Sequence, residues 1–321
     1  MNGGLPGGGL VGGRSVDGGP ADREGGVPLG GGAAAGAAVM AVPAVVGVVG
    51  GGRMGAGIAQ VFAVAGASVT IVEESPAAAA AARERVAVGL ARAAERGKLV
   101  GTPDGVLERI ACGPLPAEAG LVIEAVPEDA ELKARVLAAA EAVVGGRAVL
   151  ATNTSSLPIG GLAGGLARPE RLIGLHFFNP VPASDLVEVV IGPRTADDVC
   201  DLAVGWVGAL GKTEIVVRDS PGFATSRLGV LLGLEAIRML EEGVADAASI
   251  DRAMELGYRH PMGPLRSTDL VGLDVRLAIA EHLERELGER FTPPRLLRDK
   301  VARGELGRKS GQGFYAWAGP R

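Results

Sequence analysis

Cysteine and histidine are scarce in this chain of 321 residues. The two cysteines, Cys112 and Cys200, stand far apart, so neither a disulfide framework nor a Cys-x-x-Cys metal site can be built from them. A reducing compartment, the cytoplasm, is therefore expected. The three histidines are His176, His260 and His282, and none lies in a short cluster with metal-ligand spacing, so no metal is expected. There is no excess of positive charge either. The formal net charge is -5, without the basic stripe that nucleic-acid binding requires. The one long, nearly uncharged run, 27–52, follows Arg14 and Arg23 and alone could be a signal peptide or a membrane span. Dense glycine and Pro43 argue against that, and the end of the run is needed as a strand. No membrane association is expected.

What is present points to a globular protein. The length suggests two domains, and a hydrophobic content of 47% supports a sizeable core. Residues 1–42 are rich in Gly, Ala and Pro and lack apolar periodicity, so they read as a disordered leader. From Val45 onward, short Val/Ile/Leu runs alternate with Ala-rich stretches dotted with Arg and Glu. The predicted strands are 45–49, 68–72, 121–126, 149–152, 172–178, 186–190 and 214–217. Helices are predicted between them, at 56–65, 76–96 and 131–144. Alternation of this kind gives a parallel sheet covered on both faces, and the first four strands read as continuous, fully buried apolar runs. Between 172–178 and 186–190 the chain is too short for a parallel crossover, which predicts an antiparallel pair at the sheet edge. After Asp219 the text is helical. The stretch 225–242 is apolar on most sides and calls for cover by neighbours or a partner subunit. Gly243 and Gly257 can end helices, Asp246 can cap one, and Leu273, Leu277, Ala280, Leu283 and Leu287 mark another. The expected fold class is α/β, a Rossmann-like, mostly parallel sheet with antiparallel edge strands, followed by an all-helical C-terminal domain. The expected domains are residues 43–219 and 220–321.

Gly50-Gly-Gly-Arg-Met-Gly55 follows a predicted strand and opens a helix, with Gly50, Gly52 and Gly55 in the three positions of G-x-G-x-x-G. Gly50 permits the tight turn, Gly52 lets the backbone approach a pyrophosphate, and Gly55 lets helix pack on strand. In so glycine-rich a chain the spacing alone is weak evidence. The strand, the helix and the acid about 20 residues on, Glu73, strengthen it. A carboxylate there can accept both ribose hydroxyls of NAD and would repel the 2′-phosphate of NADP. Two further segments carry chemistry. Ala151-Thr-Asn-Thr-Ser-Ser-Leu157 follows a strand whose end faces the ligand crevice, and Gly174-Leu-His-Phe-Phe-Asn-Pro180 is followed by Leu186-Val-Glu-Val-Val190. Folding the last two strands back on each other brings His176 near Glu188. A histidine can take the proton of an alcohol as hydride leaves carbon, and a carboxylate can fix its tautomer and support the imidazolium. Ser155 can hydrogen-bond the reacting oxygen, and Asn179 can hold substrate or nicotinamide. Singly, His176 reads as a satisfied buried histidine and Glu188 as a surface charge; with the glycine fingerprint those readings weaken.

These stretches, together with Glu124-Ala-Val-Pro-Glu128, Ser220-Pro-Gly-Phe223, His260-Pro-Met-Gly-Pro264 and Gly307-Arg-Lys-Ser-Gly-Gln-Gly-Phe-Tyr315, resemble the L-3-hydroxyacyl-CoA dehydrogenases, including bacterial 3-hydroxybutyryl-CoA dehydrogenases. The resemblance runs from about residue 45 to the C-terminus. It implies reversible NAD-dependent oxidation of an (S)-3-hydroxyacyl-CoA of short chain, with His176 and Glu188 as the acid–base pair and Ser155 and Asn179 beside them. It implies cofactor contacts at Gly50, Gly52, Arg53, Met54, Gly55, Glu73, Glu128, Lys133, Ser155, Asn179 and Lys309. Substrate contacts would fall on Ser155, Asn179 and Ser226. Arg96 and Lys98 stand where basic residues of the family meet CoA, although a solvated helix face accounts for them equally well. It also implies a homodimer through the helical domain. One departure stands out: the family reads P-G-F-x-x-N-R, and here Ser226 holds the asparagine position. Serine offers one hydroxyl in place of an amide's donor and acceptor. Two alternatives stay open, an enzyme of the same build acting on a free 3-hydroxy or sugar acid, and a non-catalytic NAD-binding relative.

Overall fold

The structure is a computed structural model and describes residues 40–318. Residues 1–39 of the expected leader lie outside the described residues. Residues 40–42 do not: Val42 packs against the core, and Met40 lies against Gly205.

Eight strands form one sheet: β1 (Val45–Val49), β2 (Ser68–Val72), β3 (Ile110–Cys112), β4 (Leu121–Glu124), β5 (Val149–Thr152), β6 (Leu172–Phe177), β7 (Leu186–Ile191) and β8 (Thr213–Arg218). Their order is β3-β2-β1-β4-β5-β6-β7-β8. The first six follow the doubly wound order, in which the crevice opens where the strand order reverses, between β1 and β4. All neighbours are parallel except β6 and β7. Strands β7 and β8 thus run against the other six at one edge, and the antiparallel junction lies one strand in.

The helices of the sheet region are α1 (Arg53–Val64), α2 (Pro76–Glu95), α3 (Pro103–Leu107), α4 (Ala130–Val143), the single turn α5 (Ile159–Leu162) and α6 (Asp197–Ala209). Side chains alternate across a strand, so each strand feeds two cores. Val46 and Val48, Leu121 and Ile123, Ile173, Leu175 and Phe177, and Val187 and Val189 enter one core with Ile58, Phe62 and Trp206. Val122, Leu150, Leu172 and Val190 enter the other with Leu137, Ile159 and Phe223. His176 and Glu188 fall on this second face. Strands β4 and β5 are buried throughout, as predicted, but β2 is not: Ser68 is exposed and Thr70 half-buried. Only the three residues of β3 lie beyond β2, so its outer flank is thinly covered.

Beyond the sheet come α7 (Thr225–Glu241), α8 (Ala247–Gly257), α9 (Pro264–Val271), α10 (Leu273–Leu287) and α11 (Arg295–Ala302). Val230, Leu234, Ile237, Leu265, Leu273, Ala280, Leu283 and Phe291 form their own core. Gly243 turns with φ +72°, and Asp246 caps α8 by accepting from Ser249 N at 2.7 Å. The buried Asp269 draws in the following segment, accepting from Phe314 N, Tyr315 N and Trp317 Nε1 at 2.8–2.9 Å. No helix among the described residues is long and apolar enough to cross a membrane.

Candidate active site

Three loops at the carboxyl ends of the parallel strands and the segment that returns from β8 build the site. The first joins β1 to α1. Gly50 turns at φ +95°, a region that disfavours any residue with a Cβ. A Cβ on Gly55 would overlap the carbonyl oxygen of Gly50, so helix and strand touch there by backbone. Gly52 is the reverse case, with nothing within 4 Å of where its Cβ would stand. It precedes α1 with no side-chain cap on the helix and no acidic residue in the first turn. An uncapped helix N-terminus beside an open glycine suits a pyrophosphate, since free N–H groups and the helix dipole both favour an anion. Arg53 is exposed and Met54 half-buried at the same turn. Glu73, just past β2, accepts a hydrogen bond from Gly51 N, and Arg85 donates to Gly51 O at 3.1 Å, so the turn is held from both sides.

The second loop, after β4, carries Glu128, and the third, after β5, carries the serines. One oxygen of Glu128 gathers Thr154 Oγ1 at 2.6 Å, Ser155 N at 3.0 Å, Ser155 Oγ at 3.2 Å and Ser156 N at 3.2 Å. Burial raises the carboxyl's pKa, but the Lys133 charge and the bonds from Thr154 and Ser155 outweigh it, and the group lies below its ordinary value. Lys133 is buried beneath and shared among Glu124 at 2.8 Å, Val126 O at 3.1 Å and Glu128 at 3.4 Å. Of this pair, Glu128 is the one that reaches the serine loop. Asn153 ties that loop to β6 by accepting from Phe177 N at 2.9 Å.

The fourth segment leaves β8. His176 and Glu188 are direct partners in the β6–β7 register. Their side chains meet on one face, with Nδ1 of His176 2.6 Å from Oε2 of Glu188, and neither residue is more than 7% exposed. Nε2 has no hydrogen-bond partner among the described residues. Phe178 and Phe223 flank the imidazole at ring-centre distances of 4.4 and 5.9 Å. Gly222 and Phe223 both have positive φ, +74° and +50°, and this turn aims the start of α7 at Glu188. Ala224 N and Thr225 N donate to Oε1 at 3.1 and 2.9 Å, and Thr225 Oγ1 donates to Oε2 at 2.8 Å. Burial raises the Glu188 pKa, but the bonds from His176 and from the amide and hydroxyl of Thr225 outweigh it and hold the carboxyl below its ordinary value. Ser226 donates to Ser155 O at 3.3 Å, linking α7 to the serine loop.

The remaining predicted positions are more dispersed. Asn179 is exposed three residues beyond His176. Arg96 is exposed at the end of α2. Lys309 pairs with Asp274 of α10 at 2.6 Å. No group of three metal-ligating side chains exists among the described residues.

Residues 45–220 match the family of the 3-hydroxyacyl-CoA dehydrogenase NAD-binding domain, and 222–317 match that of its C-terminal domain. This chain belongs to the 3-hydroxyacyl-CoA dehydrogenase family.

As a member it is an NAD-dependent oxidoreductase. A probable 3-hydroxybutyryl-CoA dehydrogenase of Deinococcus radiodurans is 41% identical over 275 residues, 84% of this chain and 99% of the relative. A 3-hydroxybutyryl-CoA dehydrogenase of Mycobacterium tuberculosis is 42% identical over 279 residues, 85% of this chain and 98% of the relative. The crystal structure of (S)-3-hydroxybutyryl-CoA dehydrogenase PaaH1 from Ralstonia eutropha superposes with a TM-score of 0.82 at 40% identity, covering 86% of this chain and 99% of that one. Within the family frame, three contributors escaped the sequence reading: Asn153, Thr154 and Thr225. Asn153 and Thr154 sit inside the Ala151–Leu157 stretch, and only the loop geometry exposes their contacts. Thr225 carried one signal, a hydroxyl at the first helical position after a Pro-Gly-Phe turn.

Proposed function

We propose that this dehydrogenase oxidises short-chain (S)-3-hydroxyacyl-CoA thioesters, 3-hydroxybutyryl-CoA foremost, to the 3-ketoacyl-CoA, and reduces the latter in reverse. The observation that carries the proposal is the His176–Glu188 pair, buried together on one sheet face with no hydrogen-bond partner on the ring's second nitrogen among the described residues. His176 Nε2 takes the C3 hydroxyl proton in oxidation and returns it in reduction. Glu188 fixes the tautomer and supports the imidazolium. The Ser155 hydroxyl steadies the reacting oxygen, and Asn179 and Ser226 border the acyl group. NAD supplies the hydride acceptor. Gly50, Gly52, Arg53, Met54 and Gly55 hold its pyrophosphate end, and Glu73 holds the adenosine ribose. We assign Glu128, Lys133, Ser155, Asn179 and Lys309 to the remaining cofactor contacts, and Arg96 to the CoA end.

We take residues 43–219, with the packed Met40 and Val42 before them, as the cofactor domain and 220–321 as the domain for dimerisation and substrate. A homodimer through the latter accords with the exposure of Leu228 and Leu231 on α7 and of Val271 and Val275 on the neighbouring α9 and α10. A reducing cytoplasm accords with two free cysteines.

NADH consumption with acetoacetyl-CoA, run beside free acetoacetate, tests the proposal. Thioester turnover with little on the free acid supports it. Turnover on the free acid alone would move the enzyme to hydroxy-acid substrates, and NADH binding without turnover on any 3-ketoacyl-CoA would make it a binding protein.

A further inference from the structure

Glu188 is a carboxylate with every lone pair used, and the donors come from two separate parts of the chain. A carboxylate has about four acceptor sites. Here four donors fill them: His176 Nδ1, Ala224 N, Thr225 N and Thr225 Oγ1. Three of the four belong to the start of α7. That helix has no side-chain cap of its own and no acidic residue in its first turn. Glu188 therefore acts as its cap from across the fold, and the helix N-terminus in turn holds negative charge on Glu188. The two backbone donors would be present whatever the sequence. The hydroxyl is different, because only Ser or Thr at position 225 supplies it. It shares Oε2 with the imidazole, so it competes for the electron density that Glu188 lends to Nδ1.

We infer that Thr225 is a positioning and tuning residue for His176, setting through the shared oxygen of Glu188 how tightly the catalytic imidazole holds its proton. The inference rests on the acid–base role given to His176 above. The groups around the carboxylate are few. From β6 comes His176, from β8 Ile215 in register, and from the start of α7 Ala224 and Thr225, and the imidazole is the titratable group that bears on it. Removing the hydroxyl leaves Oε2 to the imidazole alone. The carboxylate then draws more strongly on Nδ1–H, the imidazolium is favoured, and the histidine becomes a stronger base.

The test compares wild type, Thr225→Val and Thr225→Ser. Valine keeps the shape and the backbone donors while losing the hydroxyl, and serine restores the hydroxyl. The first readout is the His176 pKa in the free protein, followed by NMR of the ring protons. Only three histidines are present, and His176→Ala identifies the signal. The second is the pH profile of kcat/KM with 3-hydroxybutyryl-CoA and NAD. In Thr225→Val the His176 pKa and the acidic limb of the profile rise together by about 0.5–1 unit, one charge-assisted hydrogen bond being worth about one such unit. At a fixed pH on that acidic limb kcat/KM for oxidation falls about three- to tenfold, because less of His176 is neutral, and Thr225→Ser lies close to wild type. A Thr225→Val protein whose thermal melting is lowered while its His176 pKa and pH profile stay those of wild type would overturn the inference, because a purely structural hydroxyl acts that way. If wild type turns over no acyl-CoA, the reaction assigned above fails, while the NMR comparison still decides whether Thr225 tunes His176.

Discussion

At the end of β1 the chain builds the proposed nucleotide site by omitting side chains. At β6 and β7 it builds the proposed acid–base site by burying a histidine and a carboxylate beside each other. In the glycine turn the working groups are backbone N–H donors at the head of α1, and the sequence only has to clear the space: Gly52 opens it and Gly55 lets the helix sit down. In the hairpin the working groups are His176 and Glu188, and the sequence has to satisfy them as well, with α7 supplying three of the four donors that Glu188 accepts. A backbone site is robust to its surroundings and sensitive to added atoms. A buried side-chain site is sensitive to anything that removes a donor.

Substitutions should separate the two. The largest effect belongs to the hairpin: His176→Ala is expected to lower kcat with acetoacetyl-CoA by about 10²–10⁴-fold, the usual contribution of a general acid–base, with NADH binding intact by fluorescence titration. Equal losses of turnover and NADH affinity would break the division. Glu188→Gln comes next. It is expected to cost on the order of 10²-fold in kcat and to lower the melting temperature, since an amide presents an N–H₂ where α7 presents donors and the buried His176 loses its counter-charge.

The glycine turn should respond in a split manner. Gly52→Ala has room for its methyl, so melting should hold, while the Kd for NADH rises about tenfold, ~1.4 kcal/mol, as the methyl enters the space left for the pyrophosphate. Gly55→Ala should do the opposite, destabilising the fold by about 1–3 kcal/mol through overpacking against Gly50, as read by urea denaturation. The smallest effect concerns pH. Glu128 and Glu188 have folded pKa values below their ordinary 4.5, so the stability they contribute is complete above that pH and is lost as pH falls through the folded values. Melting temperatures should therefore drop on acidification below about pH 4.5. The drop should be shallower in Glu128→Gln, because that variant has one such carboxylate fewer.

The same division explains what was legible in the sequence. Strands β1, β2 and β5 fall where the apolar runs end, and the antiparallel turnback after β6 followed from a connection too short for a crossover. A backbone site announces itself as glycine spacing, so Gly50, Gly52 and Gly55 stood out. His176 and Glu188 became a pair only once strand register was assumed, and the register bears that assumption out. Strand β3 went unseen because it has three residues, too few for any alternation to show. Strand β4 stops at Glu124 rather than Val126, since the Glu124 carboxylate accepts from Val126 N at 2.7 Å and bends the chain out of the ladder. Thr225 was missed for another reason: its partner lies 37 residues away in sequence, and a hydroxyl at the first helical position does not by itself say which distant carboxylate it meets.

The seat of α7 on Glu188 also has a bearing on biosynthesis. The glycine turn, the β6–β7 hairpin and the histidine all leave the ribosome before Ala224 and Thr225. Until those two residues arrive, Glu188 lacks three of its four donors, and the histidine faces a carboxylate with no fixed orientation. If the glycine turn binds NAD as proposed, a chain that ends before Ala224 keeps the residues assigned to the pyrophosphate and the ribose but lacks three of the four donors that fix Glu188. The last third of the polypeptide, while contributing few atoms to the reacting centre, acts as its safety catch.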